Sequence, residues 1–332
     1  MKELAVIVRH LTTQGAQGAV LATLVTVEGS SYRRPGARLL LTANDQRLGS
    51  ISGGCLEEDV LVRARAVAQS GRAEVVVYDT SSENDLVWGV GLGCHGVVQV
   101  LLEKLPAQPA WLATLTANLA ARRPTALSVV WRATDPGLLG THLAPTLSSL
   151  PADTGIFRQT VEPPISLVVF GAGDDAQPLV RLAKEIGWHV TVADPRAAFA
   201  TAARFPSADA LVVGPAAGLV ARVGLGPGAL AVVMTHHYVH DVPLLRALLT
   251  RPLVYLGLLG PKKRAEKIIT DLAAEGFVLT AAMRAGLHAP VGLDLGAETP
   301  EEVALAILAE MQAALTRRDA RPLRERLRPI HE

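Results

Sequence analysis

The chain has 332 residues and a formal net charge of +1, with 49% hydrophobic, 19% charged and 4% aromatic residues. That balance excludes disorder and predicts two domains with cores built from Ala, Val and Leu. It makes no case for a nucleic-acid or anionic-membrane partner. Two cysteines are no disulfide framework, no apolar run reaches the roughly 18 residues of a membrane span, and the start is too short and too charged for a signal peptide. A cytoplasmic protein is expected.

In chain order, residues 2–14 predict a helix, and Ala19–Val27 a buried strand. Glu28–Arg38 is a loop by its Gly, Ser and Pro content. Its Arg33, Arg34 and Arg38 suit a clamp for phosphate or carboxylate, because guanidinium forks match planar oxyanions; a solvated basic loop is the plainer alternative. Leu39–Thr42 and Gln46–Ile51 read as strands. They lead into Gly49-Ser-Ile-Ser-Gly53-Gly54-Cys55-Leu-Glu57-Glu58. Glycines there let backbone N–H groups approach a ligand. A thiol at a helix start is suited to act as nucleophile or soft metal ligand, against which Glu57 and Glu58 bring negative charge. Leu56–Gln69 is the helix that follows. The second thiol, Cys94, also sits in a glycine-rich turn, Gly91–Gly96, after a polar loop with Glu83, Asp85 and Trp88. Either cysteine alone reads equally well as a small turn-filling residue.

Glu74–Tyr78, Val97–Leu102 and Ala126–Trp131 predict further strands, and Leu112–Ala121 a helix, so this half is α+β. The pattern weakens from Asp135 to Pro164. The expected division is an N-terminal domain over 1–160, a Rossmann-like domain over 165–316 and a basic tail over 317–332.

The second half carries a stronger pattern. Ile165–Phe170 predicts a strand, Gly171-Ala-Gly173-Asp174-Asp175-Ala176 a turn, then a helix to Gly187 and a strand ending at Asp194. This is the order of a dinucleotide-binding unit, with Asp194 where a ribose-binding acid stands. Asp174 and Asp175 bring negative charge to the place of a pyrophosphate. Ala210–Val213, Ala229–Met234 and Val254–Leu258 complete about five parallel strands, with helices at Val242–Leu249 and Arg264–Glu275. His236, His237, His240 and Asp241 form a loop with metal-ligand residue types; hydrogen bonding or a helix cap is the preferred reading. Lys262, Lys263 and Arg264 open a helix whose dipole they oppose, as an anion, a partner or plain solvent would allow. Pro300 to Leu315 predicts a last helix.

Several stretches together resemble the XdhC/CoxI family, the xanthine dehydrogenase accessory proteins. They are Gly29-Ser-Ser-Tyr-Arg-Arg-Pro-Gly36, Gly49–Glu57, Val169–Asp174, Thr191–Arg196, Leu256–Gly260 and Gly292–Glu302. The resemblance implies a chaperone that binds the molybdenum cofactor (molybdopterin), helps it acquire its terminal sulfur with a cysteine desulfurase, and delivers it to a molybdenum hydroxylase apoenzyme; a homodimer is also allowed. One departure is Gly93-Cys94-His95-Gly96, where the family pattern has glycine at 95. On this reading Arg33, Arg34, Arg38, Gly53, Gly54, Cys55, Cys94, Gly171, Gly173, Asp174 and Asp194 are the candidate cofactor-binding residues. Cys55 and Cys94 are the candidate contacts to molybdenum or its sulfur. The main rival is an NAD(P)-dependent oxidoreductase built on the Rossmann-like domain. A metallohydrolase on the histidine loop and a pure scaffold are further readings.

Overall fold

The computed structural model describes residues 2–79, 96–144 and 150–327. The chain divides into two compact units, Met1–Pro164 and Ile165–Glu332.

Unit 1 is α+β. It runs α1 (Lys2–Gln14), β1 (Val20–Gly29), β2 (Arg38–Leu41), β3 (Arg47–Gly49), α2 (Glu57–Ser70), β4 (Glu74–Asp79), β5 (Gly96–Lys104), α3 (Ala110–Ala120), β6 (Thr125–Arg132), β7 (Gly140–Leu143) and β8 (Gly155–Val161). Among the described residues, five strands form one antiparallel sheet in the order β3-β2-β1-β5-β4, and three more form a second sheet, β7-β6-β8. Strand alternation divides the first sheet cleanly. Val20, Ala22, Leu24, Leu39, Val100 and Leu102 pack on Val60, Ala64 and Val67 of α2. From the opposite face Val25 and Leu101 meet Val129 of β6, while Leu21 and Leu40 join Ile7 of α1, Leu115 of α3 and Leu127 of β6. Arg38 and Glu103 are buried as well, at 2% and 8% exposure.

Unit 2 runs β9 (Ser166–Phe170), α4 (Ala176–Glu185), β10 (His189–Asp194), β11 (Ala210–Val213), α5 (Ala216–Arg222), β12 (Leu230–Val233), α6 (Tyr238–Leu248), β13 (Tyr255–Leu258), α7 (Lys262–Ala274), α8 (Ala281–Ala285), β14 (Leu287–His288) and α9 (Pro300–Thr316). Its sheet is parallel throughout, in the order β11-β10-β9-β12-β13-β14. This is the doubly wound, Rossmann-like arrangement. Leu167 and Val169 of β9 pack with α4 and α9 on one face, and Val168 and Phe170 pack with α5, α6 and α7 on the other. Both faces are covered, which is why these strands read as continuous apolar runs. Ile307 of α9 is fully buried, and cutting it to alanine would cost roughly 2–5 kcal/mol. A capping box starts α9: Thr299 Oγ1 accepts from Glu302 N at 3.3 Å, and Glu302 Oε2 accepts from Thr299 N at 2.9 Å. The sheet order reverses between β9 and β12, so a ligand crevice belongs at their carboxyl ends.

Candidate functional site

In unit 1 the chain between β3 and α2 forms the turn that carries Cys55. Gly54 has φ +117°, a conformation open to glycine and hostile to other residues. Cys55 itself is a free, exposed thiol. Glu57, by contrast, is 2% exposed and points back into the turn. Its carboxylate accepts Ser50 Oγ at 2.7 Å, Ser52 N at 2.9 Å and the Ser52 hydroxyl. Ser52 Oγ in turn accepts Gly54 N at 3.2 Å and Leu56 N at 3.1 Å. Burial pushes the Glu57 carboxyl upward, but the hydrogen bonds from Ser52 and Ser50 outweigh it and hold the group below the usual range. The acid is therefore committed to holding the turn, with the thiol outside.

The arginine loop lies against this turn. Tyr32 covers Gly53: a Cβ built there would stand 3.5 Å from the tyrosine ring. The three arginines do come together, with Glu3 and Gln159, around a pocket of about 200 Å³. They differ in state. Arg33 donates to both carboxylate oxygens of Glu3 on α1, at 3.0 Å for Nη1. Arg34 is exposed. Arg38 opens β2, and its Nη1 donates to Gly36 O at 3.1 Å and to Gln159 Oε1 at 2.7 Å. Burial lowers the Arg38 pKa to about 10, against the opposing pull of Glu103. Glu103 is raised by the same burial, although Thr141 donates to it through N at 2.9 Å and through its hydroxyl. Cys94 and His95 lie outside the described residues.

In unit 2 the glycine turn stands where the sequence places it. Gly171 has φ +119°, and a Cβ there would collide with Met234 O, just past β12. Asp194 ends β10 fully buried. Both its oxygens are engaged: Ala172 N donates to Oδ2 at 2.7 Å, Arg196 N and Nε donate to Oδ1 at 2.7 and 2.9 Å, and Arg196 Nη2 to Oδ2 at 2.9 Å. Burial raises this carboxyl, and the Arg196 and Ala172 bonds more than reverse that. A ribose hydroxyl would have to displace Arg196. Beyond Gly173, Asp174 is bound by Arg204 Nη2 at 2.9 Å and Asp175 by His236 Nε2 at 2.7 Å.

The histidine loop is tied up in the same local way. Asp241 is 1% exposed and accepts from Thr235 Oγ1 and Arg264 Nη2. Among the described residues no three His, Cys, Asp or Glu side chains converge to hold a metal ion. Lys262 and Lys263 are exposed at the start of α7. Sequence reasoning missed Ser52, Glu57's inward role, Glu3 and Gln159. An acid in the first turn of a helix is ordinary dipole complementation, so Glu57 gave no signal of its own. Glu3 and Gln159 are 30 and 121 residues from their arginine partners.

Comparison with known proteins agrees with this layout. Residues 167–311 match the XdhC Rossmann domain and residues 13–79 the XdhC and CoxI family. The chain is 34% identical over 312 residues to a Bacillus subtilis (strain 168) protein whose name makes it a probable xanthine dehydrogenase subunit, covering 88% of this chain and 92% of that one. It is 25% identical over 295 residues to the Escherichia coli (strain K12) protein named molybdenum cofactor insertion chaperone PaoD, covering 89% and 83%. A crystal structure described as a xanthine dehydrogenase from Bacillus halodurans superimposes with a TM-score of 0.81 at 31% identity, covering 97% of this chain and 99% of that one. No helix among the described residues is long and apolar enough to cross a membrane. With relatives of this similarity spanning both units, the chain belongs to the XdhC and CoxI family.

Proposed function

We propose that this protein is an accessory factor that binds the molybdenum cofactor as cargo and delivers it to a molybdenum hydroxylase of the xanthine dehydrogenase type. The names carried by its relatives support the cargo and the recipient. The observation that carries the reading is the Ser52–Glu57 lock, which fixes a turn while leaving the Cys55 thiol in solvent. A buried thiol packs; a fixed, exposed one is available to a ligand. The donor set fits the cargo in kind. Thiolate sulfur is a soft ligand suited to the metal end, and guanidinium groups suit its phosphate. An exposed contact can also be released, which a delivery factor requires. Cys94, a cysteine desulfurase as sulfur source and assembly as a homodimer belong to the same proposal.

The test is cofactor content. The protein is expressed in a host that makes the cofactor, purified, and its bound material oxidised to the fluorescent pterin. Stoichiometric pterin that falls several-fold in Cys55→Ala supports the proposal. Pterin absent from wild type, together with micromolar NADH binding, would replace it with the oxidoreductase reading. That second reading draws on the Gly171 turn; the engaged oxygens of Asp194 weigh against it.

A further inference from the structure

We infer that the pocket of Arg33, Arg34, Arg38 and Gln159 is a phosphate-monoester site, and that Glu3 is the internal group the phosphate replaces on Arg33. Its assignment to the cofactor's own phosphate rests on the function proposed above; the site itself does not. The pocket measures about 200 Å³, below the roughly 300 Å³ at which pockets for drug-sized ligands begin. Its size matches one phosphate group. Three arginines and one glutamate are among the residues that line it.

Each arginine is in a different condition. Arg33 already holds an oxyanion in its fork, since Glu3 meets both of its terminal nitrogens. That pair is partly exposed, with side chains 29% and 35% accessible, and such pairs are weak and exchangeable. Arg34 is exposed and forms no ion pair among the described residues. Arg38 is fixed through Nη1, while its buried Nη2 has no hydrogen-bond partner. A buried donor without an acceptor is costly. The floor of the pocket is therefore rigid and cationic, and its rim offers one free and one exchangeable guanidinium.

The glycine turn of unit 2 is the competing phosphate site, and it is furnished differently. The Ala172 N–H is taken by Asp194. The nearby cations Arg196 and Arg204 are paired with Asp194 and Asp174. Asp174 takes up Arg204 and Asp175 takes up His236, so neither basic group is left over for a ligand. An incoming dianion meets carboxylates there, and arginines in unit 1.

Adjacency supports the link to the cargo. Tyr32 lies on Gly53 beside Cys55, and the next residue, Arg33, reaches the pocket. One loop thus serves both the thiol turn and the anion pocket.

The experiment is titration of the full chain with inorganic phosphate, read by ³¹P NMR line width and by calorimetry. Saturable millimolar binding is expected. Arg34→Ala should weaken it about tenfold, the loss of one charge-assisted contact. Glu3→Gln should tighten it about threefold by removing the competitor. Asp174→Asn should leave it unchanged. Arg34 and Asp174 are exposed, so those variants fold, which thermal midpoints verify. Absent saturation, an unchanged Arg34→Ala affinity, or tighter binding in Asp174→Asn would each overturn the assignment. Pterin content is measured on the same proteins. Phosphate binding without pterin would sink the cargo and leave the site. Pterin retained with no response to Arg34→Ala would sink the site and leave the cargo.

Discussion

Ser52 and Glu57 hold each other across Cys55. The serine hydroxyl donates to the buried carboxylate and accepts the N–H groups of Gly54 and Leu56, one on each side of the cysteine. Glu57→Ala removes the acceptor for both donors of Ser52 and leaves Ser50 Oγ only the Ser52 carbonyl, at 2.6 Å. The expected cost is about 2–4 kcal/mol of unit 1 stability, seen as a lower urea midpoint. Pterin content should fall with it, while peptide-resolved iodoacetamide labelling of Cys55 stays within a factor of about two.

The same carboxylate makes stability acid-sensitive. Its folded pKa lies below the ordinary 4.5, so the native state binds fewer protons than the unfolded one near that pH. Its contribution is full above 4.5 and is lost as pH falls through the lower folded value. Asp194 and Glu310 are depressed too and add to the same acid limb. A pH series of urea midpoints should therefore fall below about pH 4.5. In Glu57→Gln that fall should be shallower but still present.

Cys55→Ala should separate function from folding. The side chain is exposed, so stability should change by less than about 0.5 kcal/mol. Pterin content should drop several-fold. Equal loss of thermal midpoint and pterin would instead make the cysteine structural.

Arg38 and Glu103 bring two ionisable side chains into the interior of unit 1, where burial lowers the pKa of the first and raises that of the second. Glu103→Ala strands Thr141 N and its hydroxyl. Stranding those two buried donors costs about 2–4 kcal/mol. Differential scanning calorimetry should show the unit 1 transition move down while that of unit 2 stays.

Asp194 answers for the loop after β10. Asp194→Ala strips the acceptor from Ala172 N and from Arg196, at a cost of about 3–5 kcal/mol to unit 2. Fluorescence titration of the wild type with NADH should show no saturation at micromolar concentrations, because the acid a ribose needs is already bound.

The parts legible in the sequence were those with local signals. The turn from β9 to α4 and the acid at the end of β10 lie within thirty residues, and strand, glycines, helix and acid check one another. What Asp194 does was not legible, because Arg196 folds back on it and no pattern encodes a side-chain rotamer. Of the sheet β7-β6-β8 only β6 is legible: β7 and β8 lie in the stretch from Asp135 to Pro164, whose Gly, Pro, Ser and Thr content reads as loop. β8 is mostly half-exposed, so its apolar alternation is faint. Short α5, α8 and β14 fall below what periodicity detects. Arg38 reads as the end of a loop, yet it begins β2 and is buried with Leu40. Of the three-arginine pocket, only the arginines are legible in the sequence, where a clamp and a solvated basic loop read alike. Its Glu3 and Gln159 members come from distant segments that only the fold assembles.

Gly171 has an implication for evolution. Its missing side chain is demanded by the Met234 carbonyl of the neighbouring strand end, at a separation no methyl group could share. That demand comes from the backbone and persists whatever the crevice holds. A lineage could change its ligand, or abandon one, and selection would still keep this glycine. In such chains the glycine fingerprint records how two strands meet; the ligand has to be inferred from the side chains around it.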